Sequence, residues 1–370
     1  MEKMIHTLCR SIRQLLLLAL LTGTTVSAQD HKSKMNLSRE FPANRETTLD
    51  IENKYGKIQV ISWDQDRVVV DVEIQVTESS ESKLKKLKED ISIDFTGTTS
   101  YIIVKSKFKS ESGRLASELK NVGHTLSGSN KHVEISYLVK VPPYMNVVLN
   151  NKFGDIYLDD HSGDVEIVLS NGALKANRLE GNANISLNFG TAMIETLGSA
   201  TVNMSYSDLT LSEASQLDIT SKSSKLNADS INVLKINSRR DKLFFKKVEY
   251  LYGESNFTEI WIYDFVREAD LDLKYGKLTI EHILPDFSKV SLKSEFTDIS
   301  LLFDKQCEYA YDILYHKKAL VKLAENTGAN IETLQGDDFY RMTGSRGEKK
   351  PSALVTIEAL QKCYIKLSIK

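Results

Sequence analysis

The chain has 370 residues, a formal net charge of −2, 26% charged residues and 41% hydrophobic ones. That balance belongs to an ordinary soluble globular protein, long enough for two domains or for one repeat array with caps. It holds no strongly basic field of the kind that neutralises phosphates, so nucleic acid is not an expected partner.

Residues 1–29 read as a signal peptide. Lys3, Arg10 and Arg13 form a positive leader, and Leu15 to Leu21 (LLLLALL) is an apolar run too short to span a bilayer. Ser27-Ala28-Gln29 supplies small residues for cleavage, and Cys9 lies before the apolar run, where it cannot be a lipoprotein acylation site. The expectation is a chain exported to the periplasm or cell surface, with no transmembrane span in its mature part. Export permits disulfides, and the mature chain holds only Cys307 and Cys363. They form either a bridge or two unpaired structural thiols; spacing does not decide.

Residues 36–145 read as a small β-rich cap domain with one helix. A polar leader ends in a turn at Phe41-Pro42-Ala43-Asn44. Leu49 to Val60 follows as two short alternating strands about Tyr55-Gly56, and Val68, Val70, Val72, Ile74 and Val76 mark a strictly alternating strand. Ser80 to Ile91 places Leu84, Leu87 and Ile91 on one helical face. Strands are expected at Ile91 to Phe95, Tyr101 to Phe108 and His132 to Val141, the last stopped by Pro142-Pro143. Lys109 to Lys131 is Ser-rich and polar, with the composition of a surface loop.

Residues 146–303 repeat. Nine segments share one design, two alternating apolar residues, a polar corner and two more alternating apolar residues, as in VVLNNKFGDIYL (147–158), VNMSYSDLTL (202–211) and LDLKYGKLTI (271–280). The corner position falls at Phe153, Asn171, Phe189, Tyr206, Ser223, Arg240, Phe257, Tyr275 and Phe296, in steps of 18, 18, 17, 17, 17, 17, 18 and 21 residues. A period of that constancy is the mark of a solenoid, here an all-β parallel β-solenoid or β-helix of about nine coils. Leu49 to Val60 is a tenth copy. One coil buries about four such apolar side chains, at roughly 1.5–3 kcal/mol each. Fixing its backbone costs roughly 1–2 kcal/mol per residue, so coils must stack to be stable. Stacking at about 4.8 Å per coil makes a rod on the order of 40 Å long. The alanines at 192 and 228 mark narrow levels that Phe189 or Phe245 would fill. Residues 304–370 are a closing region: the Tyr-rich stretch from Phe303 to Leu323 is one more strand pair, Ala324 to Lys350 is polar and irregular, and Pro351 to Lys370 is a closing coil or cap strand.

The units NKYGKI (53–58), NKFGDI (151–156), SYSDL (205–209), LKYGKL (273–278) and SEFTDI (294–299) resemble the KYGD-type repeats of the bacterial "putative adhesin" family. Its members are exported β-strand-repeat proteins of otherwise unknown function. The likeness covers nearly all of the mature chain, and the corner aromatic is missing at Asn171, Ser223 and Arg240. It implies an exported β-solenoid of the bacterial envelope and supplies no ligand and no catalytic residue to carry over.

The candidate site is the column of corner aromatics Phe153, Phe189, Tyr206, Phe257, Tyr275 and Phe296. An exposed ladder of flat apolar faces suits sugar rings or a partner's strand, whereas a ladder stacked on itself simply stabilises the corners. Asp155, Asp208, Glu259 and Asp298 recur nearby, but the GGxGxD loop of calcium-binding rolls is missing and lysines interrupt the column. Asp159-Asp160-His161-Ser162-Gly163-Asp164 gathers possible metal ligands, of residue types that turns also favour. His124, His132, His282 and His316 are scattered, with no nucleophile motif. No catalytic residue, metal or cofactor is expected. The function expected is a non-catalytic adhesin or envelope binding and scaffold module, its partner a glycan or another envelope or surface protein. One alternative is a polysaccharide-active lyase or hydrolase on a β-helix; another is a structural or signalling partner of an envelope protein.

Overall fold

The computed structural model describes residues 30–109, 132–324, 328–334, 338–347 and 351–370. The proposed signal peptide and nearly all of the Ser-rich stretch lie outside these residues. The chain folds as an all-β parallel solenoid; among the described residues there is one helix, Glu81–Asp90, capped by the Ser80 hydroxyl accepting from the Lys83 amide.

Successive coils pair in parallel and in register, so that Ala192 lies on Leu209 and Val202 on Ile219. Each coil reverses at its corner residue, and the corner residues from Tyr55 to Phe296 all have φ between 51° and 67°. A bulky residue in the left-handed region is an outlier when met singly. Here it solves a parity problem. Met204 and Leu209 both face inward although they are five positions apart, a spacing that puts side chains on opposite faces of a straight strand. The left-handed corner absorbs the odd residue, so both strands keep their apolar face inside.

The interior is deeper than the repeat pattern implies. Each coil sends in six side chains rather than four, for example Ala200, Val202, Met204, Leu209, Leu211 and Ala214. The extra columns flank a second bend, which strands such as Asp208–Lys222 cross without a break. The narrow level at Ala228 is filled by Phe245, which lies directly upon it and is buried. Phe189 fills nothing, because a left-handed corner turns its side chain outward. The long 21-residue step is absorbed by a turn in which the Phe287 amide donates to the Leu284 carbonyl.

Leu49 to Val60 is the first rung of the same stack: strand Thr48–Lys54 pairs with Asn146–Lys152, and Ile58–Ser62 with Ile156–Leu158. The described residues between 67 and 141 are inserted after that rung and fold over its open side. Strands Tyr101–Phe108 and His132–Val141 continue the parallel pairing for one level. Antiparallel partners Ile91–Gly97 and Arg67–Glu78 then reverse it. The polar leader belongs to this end. His31–Pro42 is a strand paired along its whole length with Arg67–Glu78, and Met35, Leu37 and Phe41 pack on the core. Its period-two signal is weak because polar residues fill the remaining positions.

At the other end the chain skips a level. Residues 309–322 lie two rungs beyond the Phe296 coil, and strands Ala353–Ala359 and Tyr364–Ile369 form the rung between them. Part of the stretch from Ala324 to Lys350 is ordered as a hairpin, Gly328–Thr333 with Phe339–Arg346, whose second strand runs antiparallel to Tyr309–His316. Cys307 and Cys363 are buried, unpaired thiols. The Cys307 thiol donates to the Ile283 carbonyl, and burial pushes its pKa up to about 11.

Candidate functional site

The corner column forms one edge of the solenoid, and its two sides differ in chemistry. Outward stand the aromatics, from 37% exposed at Phe153 to 61% at Phe189. They are at once exposed and stacked. Phe189 and Tyr206 lie 5.1 Å apart between ring centroids and 2° from parallel; Phe257 to Tyr275 is 4.8 Å and Tyr275 to Phe296 is 5.0 Å. Such offset stacks add roughly 0.5–1.5 kcal/mol per pair beyond area burial. Phe153 stacks instead on Tyr55, which is itself buried against Phe108. The ladder therefore comes in sections, interrupted at Asn171 and again at Ser223 and Arg240. Gly172, Phe189, Gly190, Thr191, Tyr206 and Asp208 line a shallow open cleft in it.

Inward, the residue after each corner builds a polar spine. The amide of Gly190 donates to the Ser207 hydroxyl, that of Ser207 to the Ser224 hydroxyl, that of Ser224 to Asp241 Oδ1 and that of Asp241 to Thr258 Oγ1. Every link passes a bond to the equivalent residue one coil on. Asp241 is 2% exposed, and its carboxylate also accepts from Ser221 Oγ, Ser238 Oγ and the Arg239 amide at 2.6–2.9 Å. These bonds make the buried charge tolerable. The inner column before the corner accordingly turns from apolar to polar at Ser221, Ser238, Ser255 and Ser294. A different solution serves at Gly154, where a Cβ would sit 1.9 Å from the Gly56 carbonyl oxygen, so only glycine allows the coils to close up. The sequence does carry this signal, as a run of small or short polar residues (Gly190, Ser207, Ser224, Asp241, Thr258), but the louder aromatic next door hides it.

Two of the acidic residues beside the corners act on backbone. Asp155 accepts from the Ala173 amide and Asp298 from the Tyr364 amide, each capping the neighbouring coil. The turn at 159–164 splits apart: Asp159 and Asp160 face solvent, while His161 turns inward, 2% exposed. Its Nε2–H donates to the Met145 carbonyl at 2.6 Å, and desolvation holds its pKa below the usual histidine value. His282 bridges Asp264 and Asp304 at 2.8 and 3.1 Å, tying adjacent coils together on the outer surface. Among the described residues no three His, Cys, Asp or Glu side chains gather in a way that could hold a metal ion. A larger hollow of about 580 Å³ lies on the N-terminal strands, between walls that include Leu37, Lys57, Asp71, Glu73 and Tyr137.

Fold and site together define a parallel β-solenoid with a stacked aromatic edge. Two solved structures are similar to it over most of their length. One is a putative cell adhesion protein from Clostridium sporogenes ATCC 15579, at 13% identity, covering 92% of this chain and 100% of that one with a TM-score of 0.21. The other is a putative adhesin from Bacteroides fragilis NCTC 9343, at 10% identity, covering 90% and 98% with a TM-score of 0.25. At these scores neither likeness bears on the site. No protein-family model and no curated protein matches the chain.

Proposed function

We propose that this protein is a non-catalytic binding module of the bacterial envelope, holding a glycan along its aromatic corner edge. One observation supports this above others: six aromatic rings stand exposed at equivalent corners, and most are already held flat and parallel by their neighbours. Large apolar side chains are normally buried, and a contiguous exposed set marks an interaction surface. Rings locked by stacking lose little further freedom on binding, and their outward edges and the uncovered faces at the ends of each section are what a sugar can contact. Export through the segment 1–29 is part of the same proposal. No helix among the described residues is long and apolar enough to cross a membrane.

The test is a glycan array followed by calorimetry on the purified protein. Tyr206→Ala combined with Tyr275→Ala should weaken binding by roughly tenfold, one lost stack at each of two sections. The thermal unfolding profile should keep its shape. A protein that ignores every glycan on the array would sink the proposal.

A further inference from the structure

The gap in the aromatic ladder is not blank. At the two levels where the corner residue is Ser223 and Arg240, the edge carries Lys222, Lys225, Arg239, Arg240 and Lys242, all exposed. Lys222 is in register with Arg239, and Lys225 with Lys242, so like charges stand directly opposite each other on neighbouring strands about 4.8 Å apart. That placement is unfavourable in the free protein for Lys222 and Arg239, whereas Lys225 and Lys242 each also face a carboxylate, Asp208 and Glu259, on the strand to their other side. Two lysines nearby are paired, Lys246 with Asp229 and Lys247 with Glu249. The five cations of the gap have no carboxylate within ion-pair distance among the described residues; Lys225 lies over the Phe244 ring, 5.7 Å from its centroid. The nearest carboxylate along the chain, Asp241, is turned inward and occupied by the polar spine. Aromatic sections lie on both sides of the patch, Phe189 with Tyr206 before it and Phe257, Tyr275 and Phe296 after it.

We infer that the edge selects an acidic polysaccharide, a polymer of uronate type. Its sugar faces lie on the aromatic sections and its carboxylates on the five cations at the gap. This rests on the glycan-binding reading and names its ligand class. A nucleic acid fits less well. Duplex DNA carries one charge about every 1.7 Å along its axis. It would meet Asp208 and Glu259, which are in register with Lys225 and Lys242 at the two borders of the patch. A polyuronate carries one carboxylate per sugar, a sparser line of charge than duplex DNA, so fewer of its charges meet Asp208 and Glu259 at the borders.

The probes are polygalacturonate and its fully methyl-esterified form, which share a backbone and differ in charge. The purified protein is compared with one variant carrying Arg239→Gln, Arg240→Gln and Lys242→Gln, with circular dichroism to confirm the fold. Polygalacturonate should bind about tenfold tighter than the ester, and the triple variant should lose about tenfold for polygalacturonate while its affinity for the ester stays unchanged. The polygalacturonate complex alone should weaken with added salt. Equal affinity for the two polymers overturns the assignment, as does an unaffected triple variant or equally tight binding of single-stranded DNA. If the ester binds and charge makes no difference, only the acidic assignment fails. If neither polymer nor any neutral glycan binds, the aromatic reading fails with it.

Discussion

At position 161 the third inward column holds an imidazole, where later coils place Leu179, Leu197, Ala214 or Ile231. Because Nε2–H donates to the Met145 carbonyl, Nδ1 is the acceptor nitrogen, and it has no partner. Protonating it would put an unmatched charge inside the stack, which is why burial depresses the folded pKa. The sign follows. The unfolded imidazole takes up a proton near its ordinary value of 6.5, the folded one only at lower pH. The neutral residue's contribution is thus present above that value and is lost as pH falls through the folded pKa. Urea unfolding at pH 7 and pH 5 should show a larger acid loss for the natural protein than for His161→Leu. Equal losses would mean that another group governs the acid response. The sequence displayed His161 among three aspartates, as if for a metal; which way each side chain points is a property of the bend.

At the scale of one coil, backbone and side chain make separate demands on the corner. The left-handed conformation recurs at φ of 51° to 67° whether the residue is Tyr, Phe, Asn, Ser or Arg. The fold therefore imposes it, against a preference of about 1–2 kcal/mol for a non-glycine residue. Aromatic corners recover part of that through stacking, but Ser223 has no ring to stack. Ser223→Gly should accordingly raise the denaturation midpoint, by up to about 1 kcal/mol of stability once glycine's greater unfolded freedom is subtracted. An unchanged or lower midpoint would show that the hydroxyl contributes more than the backbone preference costs. The period was legible here because every coil must place the same two apolar pairs around one corner. The polar spine was not, since its bonds join residues 17 positions apart that become neighbours only after stacking.

For the whole molecule, the two ends decide solubility. An open solenoid presents unpaired strand edges to other chains. Both ends here change from parallel to antiparallel pairing, under His31–Pro42 at one and under the hairpin 328–346 at the other. The last twenty residues are more than a lid, since they sit between two levels laid down earlier in the chain. Removing 351–370 should leave the Phe296 coil and strand Tyr309–His316 each with an unpaired edge and an empty rung between them. Size-exclusion chromatography with light scattering should then find oligomers in place of the natural distribution. An unaltered profile would imply that the outer coil drops down to close the gap.

The amino-acid sequence alone determined that coils exist, how long they are and where each one turns, because periodic burial writes itself into spacing. It also marked the aromatic edge, since a repeated residue type occupies one place in space once coils stack. Only the tertiary structure decided that the upstream copy at 49–60 joins the rod, that the C-terminal coil inserts between earlier ones, and that the aromatics face out. Those outcomes depend on pairings between distant segments and on the left-handed turn of the corner. The cationic gap belongs to both: its residues are plain in the sequence, but their like-charge alignment exists only because neighbouring strands are in register.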